Sequence, residues 1–126
     1  MKAILDTSVL LATGLPRLEG ELAISTASIA ELHFGVLVTA DPGVRAERLR
    51  RLAGFQRVFD ALPVDQDVSV SYGELAAAVV AAGRQPRARV MDLLIAATAR
   101  AHSARLYTRN AKDLVGVDHL IEIVAV

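Results

Sequence analysis

The sequence predicts an α/β domain with a central, mainly parallel sheet covered by helices on both faces. Three observations predict it. Short apolar runs recur between stretches with helical apolar spacing, and strands separated by helices in this way are joined most simply in parallel. The chain has 126 residues, 53% of them hydrophobic, which suffices for a core without staples but leaves no room for a second one. Residues 1–126 are therefore read as one domain. Cysteine is absent, which excludes a disulfide framework, a zinc–cysteine site and thiol nucleophiles.

Taken in order, Lys2 to Leu5 is a short apolar run that ends at Asp6-Thr7-Ser8, as a buried strand followed by a helix-capping triplet would. Val9 to Thr13 predicts a brief helix, broken at Gly14-Leu15-Pro16, and Glu21 to Ile24 a second strand. Ser25-Thr26-Ala27-Ser28 opens a helix to about Thr39, with Ile29, Leu32, Gly35 or Val36 and Val38 facing inward. Asp41 then caps a helix whose first residue is Pro42. From Val44 to Asp60 the positions Leu49, Leu52, Phe55 or Gln56 and Val58-Phe59 keep a helical period while the arginines lie mostly off that stripe. Phe34, Phe55 and Phe59 are read as core. Ala61 to Val64 predicts a third strand, Asp65 to Asp67 the start of an alanine-rich helix ending near Gly83, and Arg84 to Arg89 a basic loop. Val90 to His102 is a buried helix, Arg105 to Thr108 a strand, Asn110 to Leu114 a helical turn and Ile121 to Ala125 the last strand.

Charge narrows the function. Fourteen Lys and Arg balance fourteen Asp and Glu, which argues against strong non-specific binding of nucleic acid. The arginines are nevertheless grouped at 45–57, 84–89 and 100–109, and local patches of this kind can hold a phosphate backbone. With an acidic residue already at position 6 and no apolar run long enough to span a bilayer, the expectation is a cytoplasmic protein that does not enter a membrane.

Ligands of such a sheet bind at the carboxyl ends of its strands, so the acids are judged by that rim. Asp6 follows the first strand and Asp113 lies just after the strand ending at Thr108. Glu31 and Asp92 sit near the starts of their helices, with apolar neighbours that turn them inward. Each has a plain structural alternative: a capping box between Ser28 and Glu31, a helix dipole for Asp92, and caps for Asp6 and Asp113. Four carboxylates on one rim repel one another unless a cation neutralises them. An all-oxygen set with no well-placed histidine favours magnesium or manganese, which suits hydrolysis of a phosphodiester.

The segments Ile-Leu-Asp6-Thr7-Ser8, Ser28-Ile-Ala-Glu31-Leu, Asp92-Leu-Leu-Ile-Ala-Ala-Thr-Ala and Tyr107-Thr108-Arg109-Asn110-Ala-Lys-Asp113-Leu resemble, in order and spacing, the motifs of PIN-domain nucleases. The resemblance spans nearly the whole chain and is nearest the VapC-type ribonuclease toxins of bacterial type II toxin–antitoxin systems. It implies a PIN-like three-layer α/β/α fold and a magnesium-dependent endoribonuclease, with tRNA and rRNA as candidate substrates. It places Asp6, Glu31, Asp92 and Asp113 on the family's acidic, metal-holding and catalytic positions. Ser8, or Thr7, with Thr108 and Asn110 match the polar positions that orient those acids. Many relatives carry aspartate where Asn110 stands, and which of positions 110 and 113 binds metal varies among them; Leu114 replaces a common phenylalanine. Arg87, Arg89 and Arg109 are candidate RNA contacts. The resemblance also implies a separate antitoxin and a homodimer, for which the stretches 29–38 and 76–82 offer apolar faces. His33, His102 and His119 have no mutual spacing that suggests a site.

Other functions fit less well. A haloacid-dehalogenase-type phosphatase needs a second aspartate where Ser8 stands, and a receiver domain needs an acidic pair and a late lysine that this chain does not offer convincingly. From a different class, a catalytically silent binding module stabilised by metal is the alternative, and activity with magnesium separates the two.

Overall fold

A computed structural model describes residues 1–126. The chain forms β1 (Lys2–Leu5), α1 (Thr7–Leu10), β2 (Glu21–Ser25), α2 (Thr26–Val38), α3 (Pro42–Val58), β3 (Asp60–Leu62) and α4 (Gln66–Ala81). A 3-10 turn (Pro86–Arg89) leads into α5 (Val90–Ala101), followed by β4 (Arg105–Thr108), a second 3-10 turn (Ala111–Leu114) and β5 (Ile123–Ala125). The five strands lie in the order β3-β2-β1-β4-β5, and every neighbouring pair is parallel. The expected parallel three-layer α/β/α architecture is what the chain adopts.

Strand alternation divides the apolar residues between two cores. Ile4, Ala23 and Leu106 face α4 and α5, where Val68, Leu75, Leu93 and Ile95 are buried. Ala3, Leu5, Ile24 and Tyr107 face the other way and pack with Val9 and Leu10 of α1, against Ile29 and Leu32 of α2 and Phe55 of α3. The α5 run Ile95 to Ala99 is almost solvent-free because small alanines let the helix lie close on the sheet.

Local sequence sets the boundaries. Asp41 and Asp65 accept backbone N–H bonds as N-caps of α3 and α4, Pro42 opens α3, and Gly83 takes a left-handed φ of 78° just past α4. Other expectations are corrected. The first helix begins at Thr7 and stops at Leu10, because Asp6 itself caps it. The last strand begins at Ile123; Ile121 is buried beside it in the core. The third strand ends at Leu62, short of Val64, and the basic loop holds a 3-10 turn. Phe34 is not core but 68% exposed, and Val38, Leu49 and Val58 are exposed with it. The reason is position: α3 rests on α2 and the edge strand β3 and buries only Leu52 fully. No helix is long and apolar enough to cross a membrane.

Because all five strands run the same way, their carboxyl ends share one rim. From β1 the chain steps outward to β2 and β3, then returns to place β4 on the other side of β1. The order reverses between β1 and β4, where the sheet opens a crevice.

Candidate active site

Asp6 emerges from β1 beside that crevice, its backbone N–H bonded to the Tyr107 carbonyl of β4 at 3.1 Å. Its Oδ1 accepts from the Ser8 hydroxyl at 2.5 Å and from the Val9 N–H at 3.1 Å. Ser8 is held in turn by the Arg109 N–H at 3.0 Å, which ties the end of β4 to the end of β1. The cap reading of Asp6 is therefore true and incomplete. Its Oδ2 has no protein donor and stays available.

Glu31 stands on the second turn of α2. The capping box with Ser28 does not form: Ser25 is the N-cap and accepts from the Ala27 N–H. Glu31 Oε1 accepts instead from the Thr7 hydroxyl at 2.7 Å. That hydroxyl has one proton, so the 3.0 Å contact between Thr7 and the buried Ser28 is donated by Ser28. Thr7 is the orienting residue that sequence reasoning left undecided against Ser8, and the two act on different acids. The signal was present in Ser28, one turn before Glu31 on α2.

Asp92 lies in the first turn of α5, a helix without a side-chain cap, and no protein group donates to either of its oxygens. Burial first, then the neighbouring Glu31 and Asp6 carboxylates, push its carboxyl above the ordinary aspartate value; Arg89 opposes this and Asp113 adds to it. Those named neighbours put four acids from four separate elements in one electrostatic cluster.

Asp113, on the 3-10 turn after β4, is bonded to Arg89 at 3.2 Å. Sequence reasoning named both residues and missed their pairing, which is made across 24 positions. Thr108 departs from expectation: fully buried, its hydroxyl accepts from the Asn110 N–H at 3.0 Å and shapes the turn rather than touching a carboxylate. Asn110 is exposed and its side chain has no partner. Arg87 and Arg109 are exposed with unpaired guanidinium groups. The 45–51 arginines are largely spoken for. Arg45 bonds the Thr39 carbonyl at 2.9 Å, Arg48 the Gly35 carbonyl at 2.7 Å and Arg51 the Leu10 carbonyl at 3.3 Å, clamping α3 to α2 and α1.

A cleft of about 570 Å³ opens beside Glu31 and Thr7, walled by Leu32 and Phe55 and closed by Arg48 and Arg51. A smaller one of about 250 Å³ lies beyond Arg89 and Asp113. The acids thus occupy ground between two recesses.

The donor set fits a hard divalent cation. Each acid presents an oxygen that no protein group satisfies, and Asp92 is held up by its burial and then by neighbouring negative charge that a cation would offset. No three acids or histidines form a ready-made cage. Magnesium does not require one, since it keeps several waters and takes one or two carboxylates directly.

The PIN-domain family profile matches residues 3–119. The chain belongs to the PIN-domain family. It is 33% identical over 121 residues to ribonuclease VapC5 of Mycobacterium tuberculosis, covering 91% of this chain and 87% of that protein. Ribonuclease VapC8 of the same organism is 37% identical over 100 residues, 76% of this chain and 88% of its own. Among solved structures, VapBC-5 from M. tuberculosis, a member of the VapBC family of toxin–antitoxin systems, superposes with a TM-score of 0.87 at 32% identity, over 99% of this chain and 98% of that one. The chain is thus a VapC-type member of the PIN-domain family.

Proposed function

We propose that this PIN domain is a magnesium- or manganese-dependent endoribonuclease, the toxin of a toxin–antitoxin pair. The observation that carries the reading is the convergence of Asp6, Glu31, Asp92 and Asp113 on one rim, with the Asp92 carboxyl pushed up by its burial and then by the other three. The relatives named as ribonucleases support the reaction, and the VapBC-5 complex supports a separate antitoxin.

In this reading Asp6 and Asp92 are the principal cation ligands, with Asp113 completing the set. The cation, when bound, supplies charge to stabilise the leaving oxygen and lowers the pKa of a water for attack on the phosphorus. Glu31 is placed to accept that water's proton, with the Thr7 hydroxyl holding its other oxygen still. Ser8 and the Val9 N–H fix the Asp6 carboxylate so that one oxygen faces the reaction. Arg87 and Arg109, exposed and unpaired on the same rim, supply phosphate contacts, and with few aromatics recognition rests on RNA shape. A toxin of this kind acts on cellular RNA in the cytoplasm. The exposed Phe34, Leu37 and Val38 of α2 give a protein partner, the antitoxin or a second copy, an apolar surface to cover.

The test is cleavage of total cellular RNA by the purified protein with magnesium, manganese or EDTA, beside an Asp6→Asn control. Discrete products that require the cation and vanish in the control establish the nuclease, and end mapping then identifies the RNA. A folded protein that cleaves nothing in either cation moves the reading to the binding module.

A further inference from the structure

Among the groups that Asp92 feels, one alone is positive: Arg89. It ends the Pro86–Arg89 turn, directly before α5, so its backbone is fixed close to Asp92 by the helix start. Its guanidinium reaches past Asp92 to bond Asp113 Oδ1 at 3.2 Å, and makes no other hydrogen bond. The Arg89 side chain is 46% exposed and faces a recess of about 250 Å³, so it has both the freedom and the room to leave. A half-exposed ion pair of this kind is weak, because water screens it. A divalent cation among the same carboxylates would place a like charge next to the guanidinium and would draw on the negative charge that holds it.

We propose that Arg89 is a displaceable counter-ion: it holds Asp113 while the acidic cluster is free of metal, leaves when the cation loads, and then holds a phosphate of the RNA. This rests on the metal-nuclease reading above and adds to it a coupling between cation loading and substrate capture. One side chain thereby serves two partners in turn. The acids are kept together before loading, and the rim gains a free cation only once the site is charged. Arg87, two residues earlier, has no carboxylate to release and is the internal comparison.

The experiment measures Mn²⁺ binding by electron paramagnetic resonance for wild type, Arg89→Gln, Asp113→Asn and the double variant, each checked for native circular dichroism. Arg89→Gln is expected to tighten Mn²⁺ about two- to fivefold, and the gain is expected to vanish in the Asp113→Asn background, because the two residues act through one pair. An equal gain in both backgrounds would show only general electrostatics and overturn the displacement. Labelling by phenylglyoxal, read by peptide mass spectrometry, adds an independent arm: Arg89 is expected to react faster with Mn²⁺ than without, and Arg87 to react alike in both. Equal Arg89 reactivity in the two states also overturns it. At saturating Mn²⁺, Arg89→Gln is expected to raise KM for RNA several-fold with kcat within about twofold, and Arg89→Lys to recover most of the loss. An unchanged KM removes the phosphate role. If wild type and variants alike bind no Mn²⁺, the metal-nuclease reading itself fails, an outcome distinct from equal binding by all four.

Discussion

Single side chains in this site are held by neighbours that do no chemistry themselves, and their removal separates orientation from reaction. Thr7 bonds Glu31 and is itself bonded by Ser28. Thr7→Val keeps the shape and removes the hydroxyl, so RNA cleavage is expected to fall about ten- to a hundredfold, as for other supports of functional carboxylates, with thermal stability little changed. Steady-state kinetics beside a melting curve checks both halves. Asp92 gives a pH prediction whose sign follows from its environment. Burial and the adjoining acids raise its folded value, so the metal-free fold is unpenalised at low pH and loses stability as pH rises through the window between the ordinary aspartate value and the raised one. Asp92→Asn is expected to raise the melting temperature of EDTA-treated protein at pH 7 by a few degrees, about what a modest relief of strain gives in a domain of this size. The gain should disappear near pH 3, where the native carboxyl is neutral, and a gain that grows on acidification would contradict the assignment.

At the scale of elements, the rim depends on how α2 is launched from β2. Ser25 ends the strand, caps the helix through the Ala27 N–H and lies 3.2 Å from the Thr98 hydroxyl of α5. Thr98 spends its proton on the Leu94 carbonyl, so Ser25 donates to Thr98. One fully buried hydroxyl therefore joins the strand, the helix that carries Glu31 and the helix that carries Asp92. Ser25→Ala leaves the Ala27 N–H and the Thr98 oxygen unmet, and is expected to cost about 1–3 kcal/mol in urea unfolding. Most element boundaries were legible in advance, because Asp41-Pro42, Asp65 and Gly83 act through local backbone chemistry. The α2–α3 pair was legible only in part. Its period is helical in sequence, yet Phe34, Val38 and Leu49 stay exposed, since periodicity tells which residues share a face and not whether anything covers it.

For the whole molecule, the parallel sheet turns four dispersed acids into one cluster, and the cluster links folding to cation binding. A cation that binds only the native arrangement stabilises it by mass action. Magnesium is expected to raise the melting temperature of wild type but not of Asp6→Asn, and the rise should grow as pH increases above the ordinary aspartate value and Asp92, held higher by burial and by its acidic neighbours, gives up its proton. A thermal-shift titration at several pH values reads this directly. The parallel α/β class and the four acids that meet on the rim are legible in the sequence, because strand and helix periods, caps and the order of the motifs are local properties of the chain. How those acids are held emerges only once the chain is folded. That Thr7 serves Glu31 while Ser8 serves Asp6, that Thr108 shapes a turn and that Arg89 closes on Asp113 all follow from contacts between segments far apart in sequence. Such pairings are set by the strand order and by which side of β1 the chain returns to, and no local pattern encodes them.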